Sequence, residues 1–402
     1  MNTAKPLLCV AFLLTASLLW GKEPDAFYYA KVKGASQTAF AQKLTSLPEW
    51  AVFQTLVCDA IDKAVNTGLT DRPNLERVLP PKLAAQIAEK VDARGFSIRE
   101  ALQALTEHLE AVVVIAEEND FQRFDGVVAL IADVNPSFGV AWLPIIEGIQ
   151  EGKDYKFLKK EIDGDFILQF DFESKQLNRN VKFGCAGLRL PGSGPRYALL
   201  FSNESGIQKY YDRFKKGETG EEYAKGWTKR LVVGERCFRA LEAIGQKQAW
   251  PVPAMEFCRK TASFKIGCRD VTGVTQIEAA LSLSQTNDAR SVRETLQGTA
   301  MLVELALAGR ADASAETKEL ARQISNFLQT VKAEADGNDV FVTMKLDGSD
   351  FWKLISAGLK KASDELLQNR ADFPIREELR RRVRSIVFTP FALFYAGDSV
   401  CR

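Results

Sequence analysis

RYALLFSNES, residues 196–205, is the stretch that decides the fold. Its apolar run Tyr197–Phe201 is typical of a buried strand, and the polar residues after it are those that favour a helix N-terminus. Ile207, Tyr211 and Phe214 then recur at helical spacing. The stretch therefore predicts a strand that turns directly into an amphipathic helix.

Two further segments repeat this order of strand, polar turn and helix. Phe27–Val32 precedes a helix around Phe40, and Ile277–Leu283 precedes a helix that reaches Ala308. Gly309 follows at the position where a glycine commonly ends a helix. The repeated order predicts strands that alternate with amphipathic helices.

Glycines mark the hairpins of this pattern. Phe183-Gly184-Cys185 precedes one strand and Ile266-Gly267-Cys268 precedes another, and each glycine permits a bulge or a close approach of the backbone. An Asp-Gly turn at Gly164 separates two further strand-like runs.

A second kind of unit is also present twice. Ser97 and Glu100 form a capping box that opens a helix predicted to run through Leu109 and Val112, and the strand Val127–Val134 follows. A helix carrying Phe138, Trp142 and Ile146 is predicted next.

Its counterpart lies near the C-terminus. It has a helix from Leu320 to Val331 that Gly337 is predicted to close, a strand Val340–Leu346, and a helix containing Trp352. We interpret the two units as an internal duplication, which stays a structural hypothesis because their sequence identity is low.

The predicted fold class is α+β, built from repeated strand-helix units whose antiparallel sheets pack against amphipathic helices. With 402 residues, the chain is long enough for two domains. We predict a signal peptide at 1–21, a first α+β unit with a helical insertion at 22–250, and a second α+β unit with a C-terminal helix at 251–402.

The N-terminus predicts export. Lys5 precedes an apolar run from Leu7 to Trp20, and Gly21 and a polar stretch follow. This is the order of a cleaved secretory leader, although an uncleaved anchor has a similar pattern. Beyond the leader we find no apolar run of spanning length, so we expect an extracytoplasmic chain, periplasmic or secreted, without a transmembrane span.

An oxidising compartment permits disulfides. The cysteines after the leader are Cys58, Cys185, Cys237, Cys258, Cys268 and Cys401. Their even number predicts at least one bridge without fixing the connectivity, and buried thiols are the alternative. None has the C-x-x-C spacing of a redox or zinc site.

The leader, the first strand, the region around Val127 to Ile149 and the strand-to-helix stretch at 196–201 together resemble a group of exported bacterial proteins of unknown function. The resemblance spans about residues 25–250. It implies an extracytoplasmic α+β fold, and it transfers no catalytic residue.

Catalytic patterns are scarce. His108 is the sole histidine, so a histidine-rich metal site is excluded, and we expect this residue beside the packing stripe of its helix. The carboxylates Glu161, Asp163, Asp165 and Asp171 offer an acid-base or cation site, although the Asp-Gly turn explains them more simply. We predict no cofactor and no metal.

The C-terminus carries the candidate contact surface. Arg380, Arg381, Arg382 and Arg384 precede an aromatic segment and are candidates for docking on an acidic partner or a membrane surface. A solvated helix is the simpler interpretation. The net charge of +1 gives no general attraction to nucleic acid.

These observations favour a noncatalytic binding or structural protein of the cell envelope, with an unidentified envelope protein as its partner. A carrier for an apolar ligand is the first alternative, and a carboxylate-based hydrolase is the second.

Overall fold

A computed structural model describes residues 26–34, 38–70, 72–76, 79–94, 107–120, 123–134, 155–162, 164–174, 179–247, 250–308 and 315–368. Within them, antiparallel strands and amphipathic helices confirm the predicted α+β class. The chain divides into two compact units. The first combines the N-terminal stretch through Lys33 with Val57–Tyr223, and the second combines Gly34–Leu56 with the stretch that begins at Ala224.

Seven strands form the antiparallel sheet of the first unit. They are β1 Ala26–Lys31, β2 Leu109–Asp120, β3 Arg123–Ala132, β4 Tyr155–Ile162, β5 Asp165–Ser174, β6 Arg179–Arg189 and β7 Tyr197–Asn203. Their spatial order is β1-β2-β3-β7-β6-β5-β4.

Five strands form the antiparallel sheet of the second unit. They are β8 Lys229–Val233, β9 Thr261–Val271, β10 Val274–Leu283, β11 Lys332–Asp336 and β12 Asp339–Lys345. Their order is β11-β12-β10-β9-β8.

The helices, in chain order, are α1 Ala39–Thr45, α2 Pro48–Thr70, α3 Arg72–Leu75, α4 Pro81–Arg94, α5 Glu204–Lys215, α6 Glu235–Lys247, α7 Val252–Lys260, α8 Thr286–Ala308, α9 Ala315–Gln329 and α10 Ser349–Gln368. A single 3₁₀ turn, Glu221–Ala224, is also described. Among the described helices, none is long and apolar enough to cross a membrane.

The strand-to-helix stretch at 196–205 forms as predicted. β7 runs into α5, and the Asn203 side chain caps the helix by accepting a hydrogen bond from the Gly206 amide. Ile207 and Phe214 of α5 are fully buried against the first sheet. The opposite face of the first sheet holds a second core, in which Leu75 of α3 and Leu83 of α4 pack with the phenylalanines of β5.

The two predicted hairpin glycines allow close packing. A Cβ atom on Gly184 would lie 2.5 Å from the Cβ of Ile207, and one on Gly267 would lie 2.2 Å from Cε3 of Trp227. Both glycines lie within strands and therefore let a neighbouring side chain rest on the backbone.

Two predicted helix ends are wrong. Leu109 and Val112 lie in β2, because the β-branched run that follows Ala111 favours a strand over a helix. Gly337, with φ of 56°, turns the β11–β12 hairpin and does not close α9, which ends at Gln329. The short strand β11 was not predicted.

Two predictions about the domain organisation stay predictions. The structure does not show an internal duplication, which stays a hypothesis. The predicted bounds 22–250 and 251–402 also stay predictions, since the compact units describe contacts rather than independent folding. The helices predicted around Ser97 and Trp142 lie outside the described residues, apart from the part already corrected.

Candidate functional site

The single histidine lies at one end of the first sheet, in an exposed ionic cluster. His108 Nδ1 is 3.2 Å from Oδ1 of Asp133, and Lys33 Nζ donates to Oδ2 of the same carboxylate at 2.5 Å. The hydrogen bond from Lys33 lowers the pKa of Asp133, and the bond with His108 adds to this effect. The His108 side chain is 47% exposed. Leu105 of the expected packing stripe lies outside the described residues, so the place beside that stripe stays a prediction.

The predicted carboxylate group is not brought together. Asp165 is buried and accepts hydrogen bonds from the Tyr211 hydroxyl at 3.0 Å and from Lys215 Nζ at 2.5 Å. Glu161 points to the other side of the sheet, since it is paired with Phe166 while Asp165 is paired with Ile162. Asp163 lies outside the described residues.

Asp171 belongs to a separate contact. Lys182 Nζ lies 3.2 Å from both Asp171 and Glu204. No group of three metal-ligating side chains is found in the part of the chain that the structure describes.

A second ionic cluster joins β2 to the 3₁₀ turn. Arg196 Nε donates to Glu110 at 2.6 Å, and its Nη2 donates to both oxygens of Glu221. Burial opposes the charge of Arg196, but the hydrogen bond with Glu110 and the charge of Glu221 raise its pKa. Burial, followed by the charge of Glu221, raises the pKa of Tyr29. We interpret this cluster as structural, because its charges are paired with one another.

Five of the predicted bridge cysteines are described, and all five are free thiols. Cys185 lies opposite Leu168 and Phe201 on the neighbouring strands, so no cysteine is its ladder partner. Burial raises the pKa of its thiol and keeps it protonated. Cys401 and the candidate contact residues Arg380, Arg381, Arg382 and Arg384 lie outside the described residues. The predicted bridge is therefore not shown.

The sheet of the second unit has two unlike faces. Leu281, Val340 and Val342 share the face that packs against Ala289 and Val292 of α8. On the other side, strand alternation and register place a set that we call the open face: Arg230, Val232, Ser263, Lys265, Gly267, Arg269, Val271, Val274, Gln276, Glu278, Ala280, Ser282, Lys332, Glu334, Asp336, Asp339, Phe341, Thr343 and Lys345. Of this set, only Gly267 is buried.

Trp227 lies on the open face and covers Gly267. The three atoms closest to a Cβ built on Gly267 are all ring carbons of Trp227, at 2.2 to 2.8 Å, so the indole rests on the strand backbone. The loop that holds this ring is tied to β9, since the Thr228 amide and hydroxyl both donate to the Cys268 carbonyl.

Two guanidinium groups flank the indole. The central carbon of Arg269 lies 5.2 Å from the ring centroid and that of Arg230 lies 5.8 Å from it. These are cation–π distances. Arg269 is further oriented by Glu278, whose Oε1 accepts from Nε at 3.0 Å and from Nη2 at 2.5 Å. The open face thus presents an aromatic ring with two guanidinium groups over it.

Comparisons with known proteins add little to this geometry. No protein-family model matches the sequence, and no curated protein is similar to it. Among solved structures, the chain is similar to crystal forms III, I and IV of TP0453, with TM-scores of 0.33, 0.31 and 0.34 and identities of 9%, 9% and 8%. The matches cover 85%, 85% and 86% of this chain and 97%, 96% and 96% of the TP0453 chain. Similarity at these scores carries no argument about function.

Sequence reasoning missed Trp227. The residue follows Gly226, which has φ of 85°, in a short connection without periodicity. The one available signal was Gly267, whose interpretation as a site of close backbone approach is confirmed. That signal did not identify which side chain would approach.

Proposed function

We propose that this chain is an exported, noncatalytic binding protein of the cell envelope, and that it binds its partner through the open face. The observation that carries the proposal is Trp227, which rests on Gly267 and has the guanidinium groups of Arg269 and Arg230 over its ring. A partly exposed aromatic ring flanked by arginines is a common composition of binding surfaces, because both side chains combine apolar area with directed polar contacts.

The exposure of the open face supports this assignment. Lys265, Phe341 and Lys345 are exposed, and 45% of the surface of residue Phe341 is accessible. A soluble antiparallel sheet commonly leaves one polar face in water. A large aromatic side chain on that face is a less common feature, and it adds apolar contact area beside the cations.

Export is supported by the leader pattern between Lys5 and Gly21. The noncatalytic role is supported by the surroundings of the candidate catalytic groups. His108 is an exposed partner of Asp133, and Asp165 is held by Tyr211 and Lys215. The carboxylate-based hydrolase therefore has less support than binding.

Co-sedimentation with envelope fragments tests the proposal. Mature protein is mixed with purified envelopes from the source cells, and the bound fraction is compared for wild type, Trp227→Phe and Arg269→Gln. We expect binding by the wild type and a several-fold loss in both variants, since the ring and the guanidinium form the contact.

Arg322→Gln is the matched control, because Arg322 is also a surface arginine bonded to a glutamate, Glu319, but lies on α9. Equal binding by all four proteins would refute the open face as the contact surface. Failure of the wild type to bind would refute the envelope-binding role.

A further inference from the structure

We infer that α1 is a detachable strap of the second unit. In the structure, α1 lies against the β9–β10 hairpin and against aromatic residues at the start of α10. In the open position, α1 leaves both contacts while the strands and helices beneath it stay folded. The strap lies on the face of the second sheet opposite the open face, so it goes beyond the proposed function.

Two backbone amides in the first turn of α1 hold it to the hairpin. The Ala39 amide donates to Oδ2 of Asp270 at 3.0 Å, and the Phe40 amide donates to the Thr275 hydroxyl at 3.1 Å. The Thr275 hydroxyl in turn donates to Oδ1 of Asp270 at 2.5 Å. Amides in the first turn of a helix have no partner within the helix, so a carboxylate is a favourable acceptor for them. Asp270 therefore supports both of these bonds.

The apolar attachment of α1 is small. All seven residues of α1 are described, and none of them is buried. The Phe40 ring contacts two others, with its centroid 5.3 Å from that of Trp352 and 6.4 Å from that of Phe351. Segments that bury little apolar area open locally at a free-energy cost far below that of global unfolding. A helix of seven residues does not persist alone in water, so α1 loses its helical form when it detaches.

The surface beneath α1 is held by contacts that do not involve α1. Thr275 and Trp352 are buried, and the Thr275 carbonyl accepts a hydrogen bond from the Leu346 amide just after β12. The ring centroid of Phe351 lies 5.0 Å from that of Phe327 on α9. Because these contacts remain when α1 leaves, detachment uncovers an ordered aromatic surface.

Hydrogen–deuterium exchange of the protein, followed by mass spectrometry, tests the inference. We expect the amides of α1 to exchange about tenfold faster, or more, than those of β9, β10 and α10. The double variant Asp270→Ala/Thr275→Val removes both acceptors, and exchange of α1 should then rise about tenfold further, as for loss of a charge-assisted hydrogen bond. Exchange in α10 should stay at the wild-type rate.

Hydroxyl-radical footprinting measures whether the aromatic surface is uncovered. Oxidation of Trp352 should rise several-fold in the double variant, because Phe40 is intact there and uncovers Trp352 only by leaving it. Oxidation of Trp227, which lies on the open face, should not change.

Two further variants complete the experiment. Phe40→Ala changes α1 alone, and it should raise exchange of α1 several-fold even if the double variant fails to fold. Asp336→Ala is the matched control, because Asp336 also lies beside a hairpin turn of the second sheet, and it should leave exchange of α1 unchanged. Urea denaturation identifies any variant that is not folded.

Four results would overturn the inference. The first is equal exchange of α1 and the β9–β10 hairpin in the wild type, since α1 would then open only together with the sheet. The second is exchange of α1 that the variants leave unchanged, or that Asp336→Ala raises as much as they do. The third is equal acceleration of α1 and α10. The fourth is faster exchange of α1 without greater oxidation of Trp352, since α1 would then fray in place and uncover nothing.

Discussion

At the scale of single residues, Asp165 shows how a turn residue becomes part of a core. The Asp-Gly signal correctly predicted the β4–β5 hairpin, where Gly164 has φ of 83°. The same carboxylate also accepts from Tyr211, Lys215 and the Arg189 amide, and its side chain is only 4% exposed. It thereby connects the hairpin to the C-terminal end of α5.

Asp165→Asn should destabilise the protein. The substitution keeps the size of the side chain but removes the charge from a buried acceptor, and we expect the free energy of unfolding to fall by about 2 kcal/mol. Urea denaturation measures the loss. Asp171→Asn is the control, since Asp171 pairs with the exposed Lys182 and should change stability by less than about 1 kcal/mol. Equal losses in the two variants would contradict the assigned role of Asp165.

Asp133 should contribute a small stability that depends on pH. Its pKa is lowered from 3.8 in the folded protein, chiefly by the hydrogen bond from Lys33. The carboxylate therefore favours folding at pH values above 3.8, and this contribution is lost as the pH falls through the lower folded pKa. Because the cluster is exposed, we expect less than about 1 kcal/mol.

Denaturation of wild type and Asp133→Asn at neutral and strongly acidic pH checks this expectation. The difference between the two proteins should be present at neutral pH and vanish in acid. A difference that grows as the pH falls would show that the assigned sign is wrong.

At the scale of elements, identical substitutions should act in opposite directions at two glycines. A Cβ on Gly184 in β6 would lie 2.5 Å from two carbons of the buried, β-branched Ile207, so Gly184→Ala should cost more than about 2 kcal/mol. Gly358 lies inside α10 with nothing within 4 Å of its Cβ position, so Gly358→Ala should stabilise the protein by about 0.5 to 1 kcal/mol.

Thermal and urea unfolding of the two variants give the comparison. Destabilisation by both substitutions would mean that glycine in α10 has a packing role. Tolerance of alanine at Gly184 would mean that α5 moves away from β6 at little cost.

The elements that sequence predicted best are those specified by neighbouring residues. The β7–α5 unit is an example, since the capping contact joins Asn203 to Gly206. The start of β2 was missed because an isolated capping box competed with a β-branched run farther along, and β11 was missed because KAEAD has few β-forming residues. The Trp227–Gly267 contact and the Asp165–Lys215 bond join residues far apart in sequence, so local periodicity does not predict them.

At the scale of the whole molecule, export is the prediction with the clearest measurement. If the leader is removed near Gly21, the intact mass of protein purified from the source envelope should correspond to a chain that begins close to Lys22. A retained Met1 would refute cleavage and favour the anchor. Protein expressed without residues 1–21 provides the mass standard.

The early position of α1 in the chain has a consequence for how the protein is made. The Ala39 amide donates to Asp270 and the Phe40 amide donates to Thr275, across separations of 231 and 235 residues. All described strands of the first sheet precede Ala224 in the chain, whereas the partners of α1 exist only after β9 and β10 have been synthesised. As the chain emerges from its N-terminus, the described strands of the first sheet are therefore all made while the second unit still lacks most of its chain. A stop codon that truncates the protein after Tyr223 should remove β9 and β10, with which α1 forms its hydrogen bonds. The described strands of the first sheet would all be present in this truncated chain.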